Sequence, residues 1–155
     1  MIPEYKNLVI KDITARLSYN VKCKILETNE TKILASINYD RENTLFDFWE
    51  DSRKIQYEYQ LYLSEFKPYL YPLSSITKDQ SIELFNLFGI SLVDSIVTDY
   101  IKINECTGIT FFLDKGFDIE THLDKLLDWL NKNHFDYRGL IEKGLALDAT
   151  GLNIY

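Results

Sequence analysis

Short runs in which apolar and polar residues alternate dominate the first half of the chain. The clearest run covers residues 55–63, where apolar side chains recur at every second position, and shorter runs begin at Val21, Ile33 and Leu45. A strand that buries one face shows this period of two. Four such strands within about forty residues predict a small antiparallel sheet with barrel-like curvature.

Helical patterns flank this predicted sheet on both sides. Residues 8–17 carry an amphipathic pattern, and we expect Asn20 to end it, because asparagine tolerates the left-handed conformation that closes helices. Thr77 and Gln80 have the spacing of a capping box at the start of a second helix. That helix is apolar on most sides, which predicts that it is buried.

Two further segments connect the predicted helices. Residues 67–75 contain two prolines, which lack an N–H donor, so we expect an irregular connector that leaves the sheet. Alternating runs at 96–103 and 109–113 predict a β-hairpin whose turn contains Gly108.

A third helix and a tail complete the predicted fold. The helix is expected to begin near Asp118, to carry a leucine stripe over residues 123–130, and to end at Asn133 in a left-handed conformation. Trp129 is predicted to lie at the edge of that stripe, where it could contact a partner. The tail, residues 134–155, is rich enough in apolar side chains that we expect it to be ordered.

Size and composition indicate one globular unit. The chain has 155 residues, of which 46% are apolar and 14% aromatic, enough to remove roughly two thirds of the unfolded surface from water. We therefore predict a single α+β domain over residues 1–155. A short helix and the antiparallel strands occupy residues 1–77, and a helix, a hairpin, a helix and the tail occupy residues 78–155.

The charge of the chain bears on its partners. The formal net charge is −7, and residues 78–155 hold seven Lys and Arg against thirteen Asp and Glu. Proteins grip phosphate backbones with Lys and Arg, so this balance makes nucleic acid an unexpected ligand. An acidic surface instead suits a basic protein partner, or serves solubility alone.

Cysteine usage and the N-terminus predict a cytoplasmic protein. Cys23 has the position of an inward strand residue, and Cys106 is the only other cysteine, so two buried reduced thiols are expected. Residues 1–5 lack the features of a secretory signal, and no apolar run approaches the roughly 18 residues of a membrane span.

The segment that follows the third helix carries the candidate binding residues. His134, Asp136, Tyr137 and Arg138 could hold an anionic ligand, since arginine offers a two-pronged donor, histidine a titratable proton and tyrosine a stacking face. In the alternative interpretation, Asp136 and Arg138 tie the loop to nearby amides and carbonyls. No nucleophile stands beside a base, so we assign no catalytic residue.

Two patterns that could hold a cofactor or a metal are incomplete. Residues 139–144 have the glycine spacing of a phosphate-binding loop, but the Lys and Ser or Thr that this motif requires are replaced by Leu145 and Ala146. Asp118 and His122 would share one helix face, yet two ligands do not make a zinc site. We therefore predict neither a cofactor nor a metal.

Three blocks of the sequence form a recognisable set: residues 17–22, residues 67–77 and residues 128–147. The third block is the most specific, with its helix, the segment Phe-Asp-Tyr-Arg-Gly-Leu-Ile and the tail Gly-Leu-Ala-Leu-Asp-Ala. Together they resemble a family of small uncharacterised proteins carried by gut Bacteroidota genomes and their phages, although Asn20 stands where a glycine is expected in that family. The resemblance implies a phage or mobile-element origin and transfers no site residue.

These observations lead to one preferred function and two alternatives. The preferred one is a non-enzymatic binding protein, an accessory factor of a phage or mobile element that binds a host protein or sequesters a small ligand. The first alternative is a small enzyme acting on a nucleotide-like or phosphorylated substrate, with Arg138 and His134 handling the anion and the proton. The second is a structural component that forms a homo-oligomer.

Overall fold

The computed structural model describes residues 2–40, 43–49, 59–87, 101–104, 108–111 and 123–155. Helices and strands are both present within these residues, which confirms the α+β class. The helices are α1 (Pro3–Arg16), α2 (Lys78–Leu87) and α3 (Leu123–Lys132). The strands are β1 (Lys22–Ile25), β2 (Thr31–Asp40), β3 (Asn43–Trp49), β4 (Tyr59–Tyr62), β5 (Phe66–Pro72), β6 (Ile101–Asn104), β7 (Gly108–Phe111), β8 (Phe135–Asp136) and β9 (Leu147–Asp148).

The main sheet is open. In the described part of the chain its strands follow the order β4-β3-β2-β1-β5-β8, and β9 also pairs with β5. Strands β1 to β5 pair antiparallel, whereas β8 and β9 run parallel to β5. The predicted barrel-like closure is therefore wrong, because β4 and β8 lie at opposite ends of this order and do not pair with each other.

Strand β5 occupies the stretch that was predicted to be an irregular connector, so that prediction is also wrong. The N–H of Leu26 donates to the carbonyl of Glu65 (2.9 Å), and hydrogen-bonded pairs alternate with non-bonded pairs along an antiparallel ladder. Pro68 lies three residues after Glu65 and faces Cys23. This pair is therefore at a non-bonded position of the ladder. The N–H that proline lacks is not required by β1 there.

The first helix is longer than the sequence pattern predicts, and its end is as predicted. It begins at Pro3, whose fixed φ suits the first helical position. A short 3₁₀ turn follows the helix, and Asn20 then adopts a left-handed conformation with φ of 54°. Asn29 also has a positive φ (60°), in the turn between β1 and β2.

The main core lies between α1 and the sheet. It is lined by apolar side chains from both layers and by two residues of the tail, and its buried members include Val9, Ile13, Val21, Cys23, Leu34, Phe46, Phe48, Phe66, Leu70, Leu140 and Ala146. Phe66 packs edge-on against Phe46 and Phe48. Cys23 is buried, as predicted, and burial raises the pKa of its thiol well above the usual range. Cys106 lies outside the described residues.

The second helix begins as the sequence predicts, but its described apolar side chains are not all buried. Thr77 Oγ1 accepts from the N–H of Gln80 (3.3 Å), and the Gln80 side chain accepts from the N–H of Thr77 (2.9 Å), which is the reciprocal capping box. Leu84 is buried, whereas Leu87 is 43% exposed. The hairpin is confirmed by the antiparallel pairing of β6 with β7, but Gly108, which was predicted to lie in the turn, begins β7 and pairs with Asn104.

A second core forms where α2, α3 and the start of the tail meet. Its buried members are Leu84, Leu126, Trp129, Leu130 and Phe135. Further along the tail, Leu140 and Ala149 are fully buried, so the tail is ordered as predicted. None of the helices in the described ranges combines the length and apolar character that a membrane crossing requires.

Candidate functional site

The segment that carries the candidate residues is fixed by the end of α3 and by strand β8. Helix α3 ends at Lys132, and His134, not Asn133, takes the left-handed conformation (φ 58°). The Asn133 side chain instead donates to the Trp129 carbonyl (3.0 Å). Strand β8 then pairs with β5, which places the residues after it beside α1.

Asp136 orders the loop that follows β8. Its Oδ1 atom accepts from the N–H of Leu140 (2.9 Å) and its Oδ2 atom from the N–H of Ile141 (2.7 Å). Both oxygens are thus engaged, and the residue is buried. For Asp136 the interpretation as a loop-tying residue is confirmed, and no pair with Arg138 is formed.

A buried ion pair that sequence reasoning missed lies beside this loop. Asp12 and Arg16 are one helical turn apart on α1, both are 0% exposed, and Arg16 binds the carboxylate through Nε (2.8 Å) and Nη2 (3.0 Å). Arg16 also donates to the carbonyls of Phe135 (2.7 Å) and Leu130 (3.4 Å). The i,i+4 spacing of an acid and an arginine on the apolar side of α1 was the available signal.

Arg138 joins this pair and reaches the surface. Its Nε donates to Asp12 Oδ1 (3.1 Å), its Nη2 donates to the Tyr137 hydroxyl (3.0 Å), and its guanidinium stacks on the Tyr137 ring at 4.7 Å. The side chain is 19% exposed. Two guanidinium groups therefore share one carboxylate, which leaves one positive charge uncompensated within the cluster of Asp12, Arg16, Tyr137 and Arg138, here called the arginine cluster.

Tyr137 holds Arg138 in position. Its hydroxyl donates to Asn131 Oδ1 (3.0 Å), so its oxygen is oriented to accept from Arg138. The Arg16 guanidinium also lies 5.3 Å from the Tyr137 ring centroid. Among the described residues, Nη1 of Arg138 has no hydrogen-bond partner, so the outer edge of a fixed guanidinium remains available to a ligand.

His134 belongs to a different cluster. Its ring stacks on that of Tyr155 with centroids 3.7 Å apart and an angle of 13°, and its Nδ1 atom is buried without a partner in the described structure. Burial, together with the charges of Arg16 and Lys22, lowers the pKa of His134 to about 3. The imidazole is therefore neutral at pH 7 and is not positioned with Arg138.

Tyr155 lies beside His134 and bridges two strands of the sheet. Its hydroxyl accepts from the N–H of Lys22 (3.1 Å) and donates to the Tyr69 carbonyl (2.8 Å), so it bridges β1 and β5 where their ladder ends. The Lys22 ammonium donates to the Ile154 carbonyl. Burial raises the pKa of the Tyr155 phenol well above its ordinary value, so the phenol stays protonated and can bridge.

Trp129 is a core residue, and the prediction that it lies at the edge of the leucine stripe is wrong. It is 3% exposed and stacks on Phe135 with centroids 5.4 Å apart. Leu123, which the predicted stripe included, is 48% exposed. The buried face of α3 is rotated toward Trp129 because Phe135 folds back against it, and the indole offers no surface to a partner.

Two sequence patterns remain, the glycine spacing of residues 139–144 and the possible metal ligands Asp118 and His122. Gly139 and Gly144 adopt positive φ (66° and 67°), so they serve the tight turns that glycine permits. Asp118 and His122 lie outside the described residues, and elsewhere in the described ranges no three potential metal ligands cluster. No family model matches the sequence, and no curated protein or solved structure was found to be similar to it.

Proposed function

We propose that this protein is a non-enzymatic binding protein that recognises an anionic group through Arg138. The observation that carries the proposal is a guanidinium fixed at three points, with its outer edge unpaired among the described residues. A planar fork held in this way is suited to a carboxylate or a phosphate. Because the side chain is already ordered, binding loses little rotamer entropy.

Charge within the arginine cluster supports this proposal. Asp12 balances only one of its two arginines, and Arg138 is the more exposed of the two. Elsewhere the chain is acidic, with a formal net charge of −7. An anion would therefore gain the most favourable electrostatic energy at this one place, where a positive charge is fixed and partly shielded from solvent.

The geometry favours binding over catalysis. Arg138 contacts Asp12 and Tyr137, and neither contact pairs a nucleophile with a general base. His134, the proton handler of the enzyme alternative, stacks on Tyr155 instead, and its pKa of about 3 keeps it neutral at pH 7. A general acid or base works best with a pKa near the working pH.

Two kinds of ligand can supply an anionic group of this chemistry. One is an acidic side chain of a protein partner, which the resemblance to a phage or mobile-element family would make a host protein. The other is a small anion such as inorganic phosphate or citrate, which the protein would sequester. Both require a negatively charged oxygen pair in front of Arg138.

Isothermal titration calorimetry separates these sources. The titrants are inorganic phosphate, citrate, a glutamate-rich peptide and the same peptide with glutamine in place of glutamate. We expect one of the charged titrants to bind. Arg138→Gln should weaken it by about tenfold to a hundredfold, the equivalent of a charge-assisted hydrogen bond.

The matched control is Lys125→Gln, which removes one exposed positive charge from the same acidic half of the chain. It should leave affinity within about twofold, as expected of a distant surface charge. Failure of every charged titrant to bind would overturn the proposal, as would equal loss in the two variants. Circular dichroism of each variant confirms that the fold is retained.

A further inference from the structure

A β-bulge builds a second polar cluster, on the outer face of the sheet. The register of β2 against β3 shifts between Leu34 and Ser36, so Ala35 is the extra residue. Ser36 consequently lies opposite Asp47. Phe48, the next residue along β3, belongs to the main core, so the alternation of a strand directs Asp47 to the opposite face.

The carboxylate of Asp47 is satisfied on one oxygen only. Ser36 Oγ and Asn38 Nδ2 both donate to its Oδ2 atom at 2.5 Å. Asp47 is 5% exposed, and its buried Oδ1 atom has no hydrogen-bond partner among the described residues. A buried carboxylate oxygen without a donor is unfavourable, and a bound cationic donor would relieve it.

The surroundings of Asp47 indicate which cation fits. Leu45 and Trp49, two residues away on either side, share its face and are half-buried. Gln60 lies opposite on β4 and is exposed, as is Asn38, so the cluster borders solvent. The aliphatic stem of a long cationic side chain can cover Leu45 while its charged end reaches the carboxylate.

We infer that the cluster of Ser36, Asn38 and Asp47 binds a primary ammonium, the lysine side chain of a partner protein. Only one carboxylate oxygen is unengaged, which suits a compact ammonium better than the two-pronged guanidinium of arginine. The net charge of −7 favours the approach of a basic partner. This site lies on β2 and β3 and does not depend on the proposed role of Arg138.

The test uses Nα-acetyl-lysine methylamide as the probe and its Nε-acetylated form as the matched control. Either compound is titrated into ¹⁵N-labelled protein while NMR follows the two tryptophan indoles and the amides of Ser36 and Asp47. We expect the ammonium probe to shift the NMR signal of the Trp49 indole saturably, with a dissociation constant of about 1 mM for a single ammonium group. The Trp129 indole, which packs in the second core, should not move.

Two variants complete the experiment. Asp47→Asn should weaken binding at least about tenfold, whereas Asp124→Asn, an exposed carboxylate on α3, should leave it unchanged. Equal binding of the acetylated probe would overturn the inference, and so would undiminished binding by Asp47→Asn. Absence of any shift at about 50 mM probe, far above a millimolar constant, would overturn it too. The comparison of the two probes needs no variant and holds even if Asp47→Asn is unfolded.

Discussion

Asp12 is the residue whose replacement should destabilise the arginine cluster most. Its carboxylate accepts from Arg16 Nε (2.8 Å), Arg16 Nη2 (3.0 Å) and Arg138 Nε (3.1 Å). The variant Asp12→Asn keeps the size of the side chain and removes its charge. Arg16, at 0% exposure, then carries a buried positive charge with no carboxylate to balance it.

The expected loss follows from the burial of this pair. Removing one partner of a buried ion pair costs about 3–5 kcal/mol, because the other charge is left uncompensated. Arg16 retains its bonds to the carbonyls of Phe135 and Leu130, which places the loss near the lower end, at about 3 kcal/mol. A native domain is stable by only about 5–15 kcal/mol, so the effect is large.

Urea unfolding at pH 7, followed by circular dichroism, measures this loss. The control Asp124→Asn makes the same chemical change at an exposed position of α3 and should stay within about 0.5 kcal/mol of the parent. The double variant Asp12→Leu with Arg16→Met should be more stable than Asp12→Asn, because it removes both charges. A loss below about 1 kcal/mol for Asp12→Asn, or no recovery in the double variant, would refute the reasoning.

Three further predictions concern the end of α3 and the tail. Tyr155→Phe removes the hydroxyl that joins the Lys22 N–H to the Tyr69 carbonyl, and we expect urea unfolding to show a loss of about 1–3 kcal/mol; a change under about 0.5 kcal/mol would count against the bridge. His134 has a pKa lowered from 6.5 to about 3, so the unfolded state takes up its proton first, and the stability present above pH 6.5 is lost as pH falls toward 3. Asparagine tolerates the left-handed backbone at this position, so the stability of His134→Asn should fall less than that of the parent between pH 7 and 5. Identical slopes of unfolding free energy against pH in the two proteins would disprove this. Trp129→Ala should lower the free energy of unfolding by about 3–5 kcal/mol in the same assay, and a loss under about 1 kcal/mol would indicate that the indole lies at the surface.

Features that depend on a few neighbouring residues could be predicted from the sequence. The capping box of Thr77 and Gln80 forms as its spacing indicates, and Asn20 ends the first helical segment with a positive φ. Each of these is decided within one turn of chain. The local rules therefore apply without knowledge of what packs nearby.

Strand β5 could not be predicted in this way. The effect of a proline in a strand depends on which side of the ladder its missing N–H would face, and Pro68 lies at a position where β1 requires no donor. That register is set by pairing with a strand more than forty residues earlier in the chain. Without that register, the missing donor of a proline predicts a break in the strand, and β5 is not expected.

The arginine cluster was predicted only in part. The sequence marks Arg138 as a candidate binding residue because arginine offers a two-pronged donor, but its partner Asp12 lies 126 positions away. No local pattern indicates a pair at that separation.

For Trp129, the leucine spacing of α3 fits two neighbouring faces, and only the packing of Phe135 decides between them.

The most direct measurement of the central claim is the NMR signal of the Arg138 Nε–H group, assigned by its absence in Arg138→Lys. The structure holds this group against Asp12 at 3.1 Å, so it should exchange slowly with water. Addition of inorganic phosphate or a glutamate-rich peptide should shift it saturably and leave the buried Arg16 signal in place. A rapidly exchanging Arg138 signal, or one that neither anion moves, would contradict the account of Arg138 as a fixed anion receptor.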